Sequence, residues 1–176
     1  MNTALWQKLD QAARNITPFL LTLVLVFISV LPTRIPIYAE VAPVLALVAV
    51  YHWAIYRPNL MPIWAVFLLG LFQDLLSGMP LGIYCLVFLT VYGLALTQRR
   101  FFAGKSFYIY WMGFVVIAFV AAVESWLVGS IWHFTLLNFE TVLFQYLVSL
   151  GIFPIVAWIF LRWQQTFLHQ EYDAAG

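Results

Sequence analysis

Apolar residues along the chain fall into six long runs, near residues 16–33, 41–56, 61–77, 82–98, 107–131 and 141–161, separated by short breaks. Within a run the apolar character is continuous, as in FLLTLVLVFISVL over 19–31. A strand of a membrane β-barrel would alternate apolar and polar residues over about ten positions. An unbroken apolar run in hydrocarbon can satisfy its own backbone only as a helix. The pattern therefore predicts an all-α polytopic membrane protein with six transmembrane helices. A helix needs about 20 residues to cross an average hydrocarbon core, with about 17 as the lower end. The second, third and fourth runs are short by that measure. Glu40 and Arg57 at their flanks can extend into headgroups, and local thinning of the bilayer takes up the rest.

The breaks carry residues that stop helices. Pro18 bounds the first run at its start and the LPTRIP stretch, with prolines at 32 and 36, bounds it at its end. Proline is tolerated in a first helical turn and discourages continuation beyond it. Arg57, Pro58, Asn59 and Pro62 separate the second and third runs, and Gly78, Pro80 and Gly82 predict a turn between the third and fourth. Ahead of the first run, Leu5, Trp6, Leu9, Ala12 and Ala13 can share one side of a helix, with Lys8, Asp10 and Arg14 largely elsewhere. An interfacial helix and a flexible tail both fit that pattern. The expected organisation is a cytoplasmic interfacial segment over 1–15, a six-helix membrane domain over 16–163 and a cytoplasmic tail over 164–176.

Composition strengthens the membrane reading. Of 176 residues, 65% are hydrophobic and 9% charged, against about 45–50% and about 25% in ordinary soluble domains. So few charges cannot clothe a water-facing surface of this size. The 16 phenylalanines and eight tryptophans suit lipid-facing surface and interfacial belts. Orientation follows from the cations. With six spans and the N-terminus inside, Lys8, Arg14, Arg57, Arg99, Arg100, Lys105 and Arg162 all face the cytoplasm, and Arg34 alone faces outward. The positive-inside rule selects that arrangement, and the QRRFFAGK loop is its strongest signal. Arg99, Arg100 and Lys105 are also placed to meet anionic lipid headgroups. No small-residue cleavage pattern follows the first apolar run, so no cleavable leader is expected.

Chemistry is sparse. The chain shows no Walker loop, dinucleotide fingerprint, HExxH or nucleophile–histidine–acid set, so neither catalysis nor a cofactor is expected. No basic stripe supports nucleic-acid binding. The single cysteine, Cys85, cannot build a disulfide framework or a zinc cluster within one chain and reads as a small buried hydrophobe. His52, in VYHWAIYRPN, reads as a packing or interfacial histidine, with no second ligand placed to share a metal. Gln73 and Gln145 are candidates for bonds across helices.

Acidic residues inside a bilayer are expensive and face a bundle interior, a cavity or a partner. Asp74 in LLGLFQDLLSGMPLG and Glu124 in VVIAFVAAVESWLVGS are the two that qualify. Each reads either as part of a polar site or proton-linked switch, or as a carboxyl that caps a helix end or links two helices. Gly70, Asp74, Gly78 and Gly82 recur every four residues. If the helix reaches Gly78, the first three stack along one face, where small residues let a neighbouring backbone come close.

The stretch over 50–82, with YHWAIYRPN followed by GLFQDLLSGMPLG, resembles the bacterial rod shape-determining MreD family. That family shows a glycine, an aspartate and a small-residue turn ending in Leu-Gly, here Gly70, Asp74, Gly78 and Leu81–Gly82. LTVYGLALTQRRFF resembles its proteobacterial branch. The resemblance implies a non-enzymatic inner-membrane scaffold of the cell-elongation machinery that builds lateral-wall peptidoglycan. The partners it implies are MreC, the actin-like MreB and the RodA–penicillin-binding protein 2 complex. It also implies a fold similar to the S components of energy-coupling-factor vitamin transporters. The alternative is therefore a small-solute or lipid-binding membrane subunit similar to such an S component, with a pocket lined by Asp74 and Glu124.

Overall fold

A computed structural model describes residues 3–30, 44–78, 80–102, 104–136 and 138–173, without the side chains of 3–15 and 164–173. The LPTRIP break, Arg34, Glu40 and the first residues of the second apolar run lie outside the described residues. Every regular element among the described residues is helical. The helices are α1 (Thr3–Val30), α2 (Leu45–Tyr56), α3 (Ile63–Ser77), α4 (Ile83–Phe102), α5 (Phe107–His133) and α6 (Phe139–Asp173), with a single 3₁₀ turn at Pro58–Leu60. Each apolar run has its helix. Pro18 lies inside α1 rather than at its start, and Pro154 lies inside α6. The α1 backbone passes through Pro18 into the 1–15 segment as one helix, since membrane helices tolerate proline where nearby groups take up the freed backbone. Beside it, Thr22 Oγ1 donates to the Pro18 carbonyl at 2.7 Å.

The middle of the bundle is α2. Its residues are apolar on all sides, and those from Leu45 to Ile55 are all buried. A helix with no polar face is surrounded either by lipid or by other helices, and here α1, α4 and α6 pack around it. The surrounding helices turn apolar side chains outward: Ile16, Leu20, Val24 and Phe27 on α1, Ile63, Trp64 and Phe67 on α3, Val116 and Val120 on α5. A water-soluble monomer rarely exposes such continuous apolar surface. Among the described residues, two helical stretches, Phe107–His133 and Phe139–Trp163, are long and apolar enough to cross a membrane. The described length of α2 is about 18 Å at the usual rise per residue, so its role is set by burial rather than reach.

The chain order gives the bundle two different ends. Arg57, Arg99, Arg100 and Lys105 gather at the basic end; Gly78, Gly82 and His133 mark the turn end. Near the basic end the core is aromatic. Phe114 stacks on Phe153 with ring centroids 4.2 Å apart, and Tyr51 stacks on Tyr110 at 5.2 Å. Tyr51 Oη donates to the Tyr110 carbonyl at 2.9 Å, and His52 Nδ1 lies 2.9 Å from Tyr110 Oη. The fully buried His52 is thus a packing histidine joined to a tyrosine. Gly113 makes this crowding possible, because a Cβ there would come within 2.6 Å of both Tyr51 Oη and the Phe102 ring.

Candidate functional site

Asp74 sits one turn before the end of α3, and its carboxyl reaches across the turn to the start of α4. Oδ2 accepts the Gly82 N–H at 2.9 Å and the Cys85 N–H at 3.4 Å, while Oδ1 accepts the Tyr84 N–H at 2.8 Å. The first N–H groups of a helix have no partner inside it. Here Ile83 N–H turns back to the Pro80 carbonyl at 3.4 Å, and Leu86 N–H makes the first helical bond, to Gly82. All the leading donors of α4 are thereby accounted for. A Ser, Thr, Asp or Asn at the N-cap position usually does this work. Gly82 occupies that position without a side chain, and Asp74 supplies the oxygens from the preceding helix. The arrangement also sets a carboxyl against the positive end of the α4 dipole.

The neighbouring glycines make that reach possible. A Cβ on Gly70 would lie 2.5 Å from Cys85 Cα and 2.9 Å from the Tyr84 carbonyl oxygen, so α3 and α4 touch backbone to backbone there. Gly78 ends α3 in the left-handed conformation at φ 65°, and Gly82 turns the chain at φ 110°. Both angles favour glycine. The helix therefore stops at Ser77, short of the continuous face to Gly78 that the four-residue spacing allowed. Gly70 and Asp74 share a face of α3, whereas Gly78 and Gly82 shape the turn.

Glu124 lies elsewhere. Its Oε1 accepts a hydrogen bond from Thr90 Oγ1 at 2.9 Å, tying α5 to α4, and its buried Oε2 has no hydrogen-bond partner among the described residues. Thr90 is about 9 Å farther along α4 than Tyr84, so the two acids do not meet in one pocket. Between α2, α4, α5 and α6 there is a cavity of about 30 Å³ whose walls include Val44, Tyr84, Ala121, Ser125, Gln145 and Ser149. Neither Asp74 nor Glu124 lines it.

The remaining polar candidates have local partners. Gln145 reaches across to the Tyr84 side chain. Gln73 instead bonds within its own helix, Nε2 donating to Ser77 Oγ at 3.0 Å. At the basic end Arg99 Nε donates to the Ile55 carbonyl at 2.9 Å, placing a cation at the C-terminus of α2, where the dipole favours it. Arg100 and Lys105 are exposed, and so are Phe101 and Tyr108 close to them in sequence. That Asp74 caps a helix end was one of the readings its sequence allowed; which N–H groups of α4 it takes, and the bond from Arg99 to the α2 carbonyl, were not foreseen. The available signal for the first was an acid just before a Gly-x-Pro-Leu-Gly turn that leads straight into a helix.

The family model for the rod shape-determining protein MreD matches residues 12–168 of this chain. An uncharacterized protein of Rickettsia prowazekii (strain Madrid E) is 24% identical over 138 residues, which is 78% of this chain and 78% of that one. No solved structure matches.

Proposed function

The chain belongs to the MreD family of rod shape-determining proteins, and on that premise we propose that it is a non-enzymatic membrane scaffold of the cell-elongation machinery. Membership itself assigns it to rod shape determination. The reading adds that all six helices cross the inner membrane, with both termini and the Arg99–Lys105 loop in the cytoplasm. In that setting the chain holds MreC, and through it MreB and the RodA–penicillin-binding protein 2 complex, while Arg100 and Lys105 contact anionic lipids.

The observation that carries the scaffold reading is the full commitment of Asp74. Both of its oxygens are occupied by backbone N–H groups of α4, so the one acid inside the family's motif is engaged in holding a helical hairpin together. A carrier would need that acid, or another, facing a solute. The cavity between α2, α4, α5 and α6, which neither acid lines, holds about 30 Å³, enough for a water or two.

The test is complementation in a rod-shaped bacterium depleted of its own copy, with membrane crosslinking from Ile63 and Phe67 on the exposed face of α3. The intact chain restores rod growth and crosslinks to the MreC-type partner, whereas Asp74→Leu loses both. Normal rods and an undiminished crosslink with Asp74→Leu would refute the role given to this residue. Restored shape with no crosslink to any elongation protein would refute the scaffold.

A further inference from the structure

We propose that residues 139–150 of α6 form a hinged arm that pivots at Gly151–Pro154 and swings away from α4 and α5 at the turn end of the bundle. Pro154 lies inside α6, where it has no N–H to give the preceding turn and its ring crowds the carbonyl four residues back. Gly151 is exposed, and nothing lies within 4 Å of where its Cβ would be. No neighbour requires a glycine at that place, and glycine loosens a helix. The two residues together make a weak point near the middle of a long helix, of the kind at which sharp bends occur.

Packing changes character at the same point. Phe153, within the hinge, and Val156, Ala157 and Phe160 beyond it are buried in the core, whereas from 139 to 150 Ser149 alone is buried. The arm packs on the core through the partly buried Tyr146 and Leu150 and adds a few discrete contacts. Tyr146 Oη donates to the Val115 carbonyl at 3.1 Å, Gln145 meets Tyr84, and Phe139 and Tyr146 make edge contacts with Trp126 and Phe119. Beneath it lies the cavity, floored by the small side chains of Ala118, Ala121, Ala122 and Ser125 on α5. The small floor leaves the arm without a close-packed seat. Segments with few buried apolar contacts are the ones that open first. The arm is about 18 Å long, so a bend of about 20°, the scale of a proline kink, moves its tip by about 6 Å. The movement opens the cavity sideways between α4 and α6 and leaves the aromatic basic end in place.

The test uses the full chain in lipid nanodiscs with Cys85→Ala, spin-labelled at two pairs of exposed positions. One pair, Leu86→Cys with Leu143→Cys, reports the arm; the other, Thr97→Cys with Trp158→Cys, reports the basic end. The arm pair should show two distances separated by about 6 Å, the swing expected of a proline hinge, and the basic-end pair a single narrow one. Gln145→Leu should raise the longer arm distance, and Gly151→Ala with Pro154→Ala should collapse it. An unchanged basic-end distance certifies that each variant has folded. A single narrow arm distance that Gln145→Leu does not lengthen would overturn the proposal, as would two arm distances that persist when both hinge residues are replaced.

Discussion

A carboxyl enclosed by protein in an apolar bundle is tolerable only if its oxygens find donors, and Asp74 finds three on the backbone of a single helix start. The bonds help both partners: the acid escapes an empty site, and α4 gains the cap that glycine at position 82 cannot provide. This predicts a graded response to substitution. Asp74→Asn retains one acceptor oxygen and turns an amide N–H₂ toward at least one donor, so it weakens the cap without emptying it. Asp74→Leu strands all three N–H groups, each worth about 1–3 kcal/mol when buried and unpaired. Thermal unfolding in detergent should therefore fall modestly for the asparagine variant and by several-fold more for leucine. Equal midpoints for the two variants would show that these bonds do not hold the hairpin. The acid was legible in the sequence as a costly carboxyl in an apolar run, and Gly70 as a site of close approach, whereas Gly78, read on the same face, is a turn residue with nothing close to it. The acid's partner was not legible, because a backbone N–H leaves no mark on residue identity. Glu124 shows the same limit, since threonine at position 90 gives no hint of which helix it will face.

Among the elements, α3 and α4 are the pair whose separation is fixed most tightly. The Gly70 backbone lies against Cys85, so one added methyl must push the helices apart, and forcing extra atoms into a close-packed contact typically costs about 1–3 kcal/mol. Gly93, on the exposed side of α4, has nothing within 4 Å of its missing Cβ. There alanine should be neutral or stabilising, by up to about 1 kcal/mol from helix propensity alone. Thermal midpoints of Gly70→Ala and Gly93→Ala should thus move in different directions, and a loss at Gly93 as large as that at Gly70 would mean that the open face of α4 is packed in the membrane. The element pattern itself was readable: each apolar run became a helix, and Gly78 and Gly82 marked a turn that needs positive φ at both glycines. The place of α2 was not. Its run read only as a short span, whereas the structure buries residues 45–55 among other helices, and hydropathy cannot separate a helix surrounded by lipid from one surrounded by other helices.

Taken as a whole the molecule is uneven from end to end. The basic end is tied by Arg99 to the α2 carbonyl, by Tyr51 and His52 to Tyr110, and by stacked rings between α5 and α6. At the turn end the α3–α4 hairpin is held by Asp74, while α6 rests on few buried groups. The same unevenness appears in charge, since the described cations of the loops and helix ends lie at the basic end, and in a cell that end should remain where positive loops are retained. The orientation can be tested with the chain's own chemistry, because Cys85 is buried and the chain has no other cysteine. In intact spheroplasts a cysteine placed at Lys105 should resist a membrane-impermeant maleimide and react only after permeabilisation, whereas one placed at His133, exposed at the opposite end, should react at once. The reverse result would turn the bundle over. Reaction at both positions before permeabilisation would mean that α5 does not cross the bilayer, which would undo the six-span arrangement and the cytoplasmic site for Arg100 and Lys105 together.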